Sequence, residues 1–183
     1  MRERLLVFSD SHGYAPALKL ALAWARESGR SPDAVAFLGD GLDDAESAEM
    51  ADRRAGFSCP WHKARGNNDF GFATRDSALF ELGGSRFFAC HGHRHSLYSG
   101  LETLAAAARA SGANVALFGH THAPFAKTVD GILLLNPGSI GSPRSSAGAT
   151  FALIECEPGE PPSPSFWGMG RRGAISPVPA GKM

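Results

Sequence analysis

The sequence predicts an α/β layered domain with a mixed sheet or two packed sheets. Two observations carry that expectation. In the first half, short apolar strand-like runs alternate with stretches of helical periodicity. In the second half, paired runs joined by tight-turn signals dominate. A third observation bears on purpose: five of the apolar runs stop at side chains that can ligate a metal.

Leu5 to Ser9 reads as a buried strand, and it stops at Asp10-Ser11-His12-Gly13. Leu18, Ala21, Leu22 and Ala25 then recur at helical spacing, with Gly29 as the stop. Ala34 to Leu38 is a second apolar strand, ending at Gly39-Asp40. Asp43 to Arg54, rich in Ala and Glu, reads as a helix. Trp61 to Arg65 reads as a third strand, ending at Gly66-Asn67-Asn68-Asp69. Ala78 to Leu82 and Arg86 to Cys90 flank Gly83-Gly84-Ser85 as a hairpin, and the second arm runs into His91-Gly92-His93. Leu101 to Ala110 is helical in character, and Val115 to Phe118 is a strand ending at Gly119-His120-Thr121-His122. Phe125 to Val129 and Ile132 to Leu135 flank Asp130-Gly131, the strongest short hairpin signal in the chain. Thr150 to Glu155 supplies a last strand. From Glu157 onward, prolines, glycines and serines accumulate. Residues 1–156 are therefore expected as the domain, and 157–183 as an extended tail with little regular structure.

Bulk properties narrow the function classes. The chain has 183 residues, enough for one sizeable core, with 43% apolar and 20% charged residues, as in a globular protein. Lys+Arg and Asp+Glu are equal at 18 each, so no global positive field draws in nucleic acid or an anionic membrane. No apolar run reaches the roughly 20 residues of a membrane span. Three cysteines, Cys59, Cys90 and Cys156, form no C-x-x-C pair, and the start is too short in basic and apolar residues for a signal peptide. A cytoplasmic setting is the expectation.

The strand ends gather Asp10, His12, Asp40, Asn67, His91, His120 and His122. Strand ends that are neighbours in an α/β sheet converge at its carboxyl edge. Singly, Asp10 and Asp40 read as turn caps and His12 as a surface histidine. Together they offer two carboxylates, four imidazoles and one amide oxygen, without a thiolate. That mixture suits two divalent first-row ions, Mn ahead of Fe, Ni or Zn, and is too rich in nitrogen for Ca or Mg alone. With Asp40 as candidate bridge, seven ligands divide between two ions about 3.5–4 Å apart. The positive charge left over favours a phosphate group. Metal-bound water, with its pKa lowered to roughly 7, would attack phosphorus in line as a bridging hydroxide.

Asp-x-His, Gly-Asp, Gly-Asn-x-Asp, His-Gly-His and Gly-His-x-His follow one another in this order. The chain thereby resembles the calcineurin-like metallophosphoesterases. "DSHG", "GNND", "HGH", "GHTH" and "LNPGS" make it most similar to their small YfcE-type phosphodiesterase branch, over about Leu5 to Glu155. The resemblance implies a four-layer α-β-β-α sandwich of two mixed β-sheets flanked by helices. It also implies that Asp10, His12, Asp40 and His122 hold one ion, and Asp40, Asn67, His91 and His120 the other.

Many larger relatives carry His after the motif's Asn; here that position is Asn68, which cannot act as a general acid near pH 7. The YfcE-type branch lacks that His too. Slow turnover of poor leaving groups is therefore expected. Asn68 and His93 stand as candidate catalytic or substrate-binding residues, and Arg144 as a further candidate phosphate contact. Asn68 also reads as a turn residue, His93 as an exposed or substrate-facing loop residue, and Arg144 as a solvated loop arginine. Cys90 reads as core because it alternates with His91. His62 reads as structural or exposed, and Asn136-Pro137-Gly138-Ser139 as a turn shaping the site wall. The expected activity is that of a phosphodiesterase on a small-molecule phosphoester. The alternatives are a phosphomonoesterase or cyclic-nucleotide enzyme with the same metals, and a non-catalytic interaction scaffold, because the retromer coat's scaffold subunit shares the implied fold. The Pro-rich tail offers a surface for packing across a homo-oligomer interface.

Overall fold

A computed structural model describes residues 1–180. The first sheet has six strands in the order β11-β10-β9-β1-β2-β3, and the second has five in the order β4-β5-β6-β8-β7. In the first, β1 (Glu3–Phe8), β2 (Ala34–Phe37) and β3 (Trp61–Lys63) run parallel, and β9 (Ala149–Cys156) joins β1 antiparallel. In the second, β5 (Ser85–Cys90), β6 (Val115–Leu117) and β8 (Ile132–Pro137) run parallel. β4 (Ser77–Leu82) and β7 (Pro124–Val129) are its antiparallel edges.

Strand periodicity builds the layers. In β1, Leu5 and Val7 face the second sheet, while Leu6 and Phe8 face helices α1 (Ala15–Glu27) and α2 (Leu42–Arg54). In β5, Phe87 and Ala89 point between the sheets, and Phe88 and Cys90 pack towards helix α3 (Glu102–Ala110). Three cores result: α1 and α2 on the first sheet, sheet on sheet, and α3 on the second. This is the expected four-layer sandwich. Between the sheets, Ala34, Ala36 and Ala152 leave room for Phe80, Phe87 and Phe166. His62 lies flat on Phe80, with ring centroids 3.8 Å apart, so it joins the edges of the two sheets. Burial there lowers its pKa.

The chain's end corrects the sequence expectation. Among the described residues the segment after Glu157 is not an extended tail with little regular structure; residues 181–183 of the expected tail lie outside the described residues. β10 (Ser163–Met169) pairs antiparallel with β9, and β11 (Ile175–Val178) pairs with β10. The two prolines within these strands lie where sheets tolerate them, on the edge strand or near a strand's start. Pro177 is on the edge strand, and Pro164 lies before Phe166, where β11 pairing begins. Phe166 is 5% exposed in the inter-sheet core. Phe166→Ala is therefore expected to cost about 3–5 kcal/mol, read as a lowered urea midpoint; an unchanged midpoint would detach this segment from the core.

All three cysteines are free thiols. Cys90 is buried under α3 as expected, and burial pushes its thiol up to about 12. No helix among the described residues is long and apolar enough to cross a membrane.

Candidate metal centre

The predicted ligands sit just past the carboxyl ends of β1, β2 and β3 in one sheet and β5 and β6 in the other. The ends meet because the loops are laced together by backbone. Asp10 N–H donates to Gly39 O at 3.0 Å, His12 N–H to Asp40 O at 3.1 Å, and Gly119 N–H to His91 O at 3.0 Å. Eight non-glycine residues among those described have positive φ, and five are candidate ligands: Asp10, His12, Asp40, His120 and His122. Each such backbone costs on the order of 1 kcal/mol. Backbone strain thus concentrates where side chains must be aimed rather than where turns are tightest. Gly66 marks a close approach that only glycine permits: a Cβ there would lie 2.1 Å from Asp40 Oδ1.

The side chains converge. Asp10 Oδ1 lies 3.1 Å from His122 Nε2, 3.8 Å from His12 Nε2 and 3.9 Å from His91 Nε2. Asp40 Oδ2 lies 3.5 Å from His91 Nε2 and 3.8 Å from His12 Nε2. His12 and His122 bring their Nε2 atoms to 3.4 Å, and Asn67 Oδ1 is 3.1 Å from His91 Nε2. The His120 ring stands 5.1 Å from the His91 ring, and its backbone N–H donates to Asp10 Oδ2. Two triads have donor atoms mutually within 4.8 Å: Asp10, His12 and His122, and Asp10, Asp40 and His91. Both carboxylates therefore reach ligands from more than one loop.

These residues fit a divalent cation. Asp10 is wholly buried, yet its Oδ1 makes no hydrogen bond. A buried carboxylate oxygen without a donor is costly unless a cation meets it. The imidazoles are oriented from behind: His91 Nδ1–H donates to Leu38 O at 2.7 Å, and His122 Nδ1–H to Ser142 O at 2.5 Å. Both Nε2 lone pairs are thereby presented to the centre, the arrangement that tunes histidine ligands. Burial alone would raise the Asp10 pKa, but the close His122 ring and the charge of His91 outweigh it and lower it. Burial likewise disfavours charged His122, and Asp10 with the Ser142 carbonyl overcomes this and raises its pKa. A proton and a metal ion thus compete for the same His122 nitrogen.

Asp69 and Asp44 support the site and were not singled out from the sequence. Asp69 is 6% exposed, and its carboxylate accepts four backbone N–H bonds, from Asp40, Gly41, Leu42 and Gly66, at 2.7–2.9 Å. It caps α2 and clamps the β2 loop to the β3 loop. Asp44 holds Ser11 Oγ at 2.6 Å and Gly13 N–H at 2.8 Å. Asn136 Nδ2 donates to Gly119 O at 2.7 Å, and Ser139 Oγ to Asp10 O at 2.7 Å; Asn136 and Pro137 end β8 instead of forming a turn, and the "NPGS" segment braces two ligand loops. The motif "GNND" contained Asp69, but nothing in one sequence separates a loop clamp from a ligand.

Asn68 donates to Asp40 through its backbone at 2.8 Å and its Nδ2 at 2.5 Å. His93 lies 5.4 Å, ring to ring, from His91, and its buried Nδ1 has no partner. Burial, then the charges of its neighbours, lower its pKa. Arg144 is exposed and donates its backbone N–H to His122 O at 3.3 Å.

Residues 4–159 match the family model of the calcineurin-like phosphoesterase superfamily domain. A probable metallophosphoesterase of Bacillus subtilis is 29% identical over 153 residues, covering 84% of each chain. One of Mycoplasma pneumoniae is 32% identical over 145 residues, covering 78% of this chain and 82% of its own. Among solved structures, a predicted phosphoesterase of Streptococcus pneumoniae superposes with TM-score 0.75 at 24% identity, over 97% of this chain and 98% of its own. The phosphoesterase YfcE of E. coli gives 0.65 at 23% identity, over 96% and 98%. Vacuolar Protein Sorting 29 of Cryptosporidium parvum gives 0.76 at 17%, over 97% and 96%. The structural likenesses speak for the fold; the family model spans most of the chain and carries the metallophosphoesterase motifs found above. The chain belongs to the calcineurin-like phosphoesterase superfamily.

Proposed function

We propose that the protein is a phosphodiesterase with a dinuclear metal centre. Asp10, His12, Asp40 and His122 would hold one divalent ion, and Asp40, Asn67, His91 and His120 the other, with manganese first among the metals. The observation that carries this reading is the buried, donor-free Asp10 Oδ1 faced by three imidazole Nε2 atoms. Two such ions, when bound, supply a water of lowered pKa and positive charge beside the phosphoryl oxygens.

The chain's own residues set the geometry. Asp69 and Asn68 fix Asp40, and the carbonyls of Leu38 and Ser142 fix His91 and His122. Asn68 spends its amide on Asp40, so it serves orientation and delivers no proton. His93, kept neutral near pH 7, would offer a ring N–H to a phosphoryl oxygen. With no strong acid in place, a good leaving group is favoured, which in turn favours activated aryl diesters as test substrates. The scaffold alternative finds less support, since an interaction surface has no need of strained, buried ligand residues.

The test is hydrolysis of bis(p-nitrophenyl) phosphate with Mn²⁺, beside a monoester and a cyclic phosphate. Metal-dependent diester turnover, abolished by a chelator and restored by metal, is expected. No hydrolysis of any ester under Mn, Fe, Ni or Zn would return the protein to the scaffold reading.

A further inference from the structure

The metal centre opens on one side into a groove of about 460 Å³, which reaches from His12, Asp40 and Asn68 to Asp43, Phe70 and Phe72. Phe70 is 84% exposed, unusual for so large an apolar side chain beside a polar centre. It is not on a loose loop. It follows Asp69, whose carboxylate holds four backbone N–H groups, and its own N–H donates to Asn68 O at 3.1 Å. Phe72 is anchored on the core beneath α1 and α2. The backbone that carries Phe70 is therefore anchored at the rim of the site. Asp43, exposed in the first turn of α2, adds a carboxylate to the groove, and among the described residues no Lys or Arg lines it.

We propose that this groove is the subsite for one ester group of the substrate, and that it selects an uncharged, flat aromatic group. Nucleosides are the biological class with that chemistry. Phe70 supplies a stacking face, which every base or aryl ring satisfies regardless of its edge pattern. Asp43 accepts hydroxyl or amino hydrogens and repels a second negative charge. Phosphate-, pyrophosphate- or carboxylate-bearing ester groups are thereby disfavoured severalfold. The inference rests on the phosphoesterase reading above and adds to it the class of ester group.

The test uses the full-length Mn²⁺-loaded protein and three diesters: bis(p-nitrophenyl), bis(4-carboxyphenyl) and bis(2,2,2-trifluoroethyl) phosphate, the last followed by ¹⁹F NMR. Phe70→Ala is expected to raise KM for the nitrophenyl diester about tenfold, with kcat and the trifluoroethyl rate unchanged. Phe70→Trp should retain the aromatic preference. Asp43→Asn should raise kcat/KM for the carboxyphenyl diester about fivefold and leave the nitrophenyl diester unaffected. Equal effects of Phe70→Ala on aromatic and alkyl diesters, or none on either, would overturn the proposal. Should the wild type hydrolyse none of the three, the phosphodiesterase reading falls and the groove is judged by calorimetry with diphenyl phosphate. Tighter binding to wild type than to Phe70→Ala then supports it, and equal or absent binding overturns it.

Discussion

Asp40→Asn is expected to lower kcat/KM for an activated aryl diester by at least about a thousandfold, while the melting temperature moves little. The substitution is nearly isosteric and removes one negative charge from the centre. Asp40 Oδ2 lies within 3.8 Å of both His12 Nε2 and His91 Nε2, so the loss reaches both sides of the site. The structural cost is confined to the pair of bonds from Asn68, where one amide donor now faces another. Circular dichroism and a thermal melt, run beside the kinetics, separate lost chemistry from lost fold. Near-wild-type turnover with an intact fold would remove Asp40 from the ligand set.

Asp69→Ala should fail the other way round, through the fold. Four backbone N–H groups lose a charged acceptor; two of them, at Gly41 and Leu42, are the N-cap and first residue of α2, where a carboxylate also complements the helix dipole. The cost is about 4 kcal/mol, or a fall in melting temperature of roughly 8–16 °C for a chain of this size. Asp69→Asn recovers only part of this. Oδ1 and Oδ2 both face donors, so whichever oxygen becomes the NH₂ group meets N–H groups it cannot accept. Activity falls as well, because Asp40 loses the clamp on its own N–H. Differential scanning calorimetry of the metal-free variants reads the stability term, and an unchanged melting temperature would contradict it.

The contrast between these residues explains what was legible in the sequence. Asp10, Asp40, His91 and His120 could be read because an apolar run stops at each, and a metal demands particular side chains at particular strand ends. Asp69 could not, because its partners are backbone N–H groups, which every residue carries. The layers were readable wherever a short run is apolar on both faces, as in Leu5 to Phe8, whose side chains enter two cores in turn. They were unreadable in β10 and β11, where Pro164 and Pro177 argue against a strand until the sheet order places one near a strand's start and the other on the edge strand. The shared reach of Asp10 Oδ1 was hidden for a related reason: it depends on His91 from the second sheet lying across from β1, a juxtaposition no local pattern encodes.

The most direct measurement is a calorimetric titration of metal-stripped protein with Mn²⁺, paired with diester hydrolysis at each step. Two equivalents should bind, with turnover rising as the second is taken up, and His91→Ala should lose the second equivalent and the activity together. A wild-type protein that takes up no divalent ion, or that hydrolyses the diester equally well after exhaustive chelation, would contradict the account.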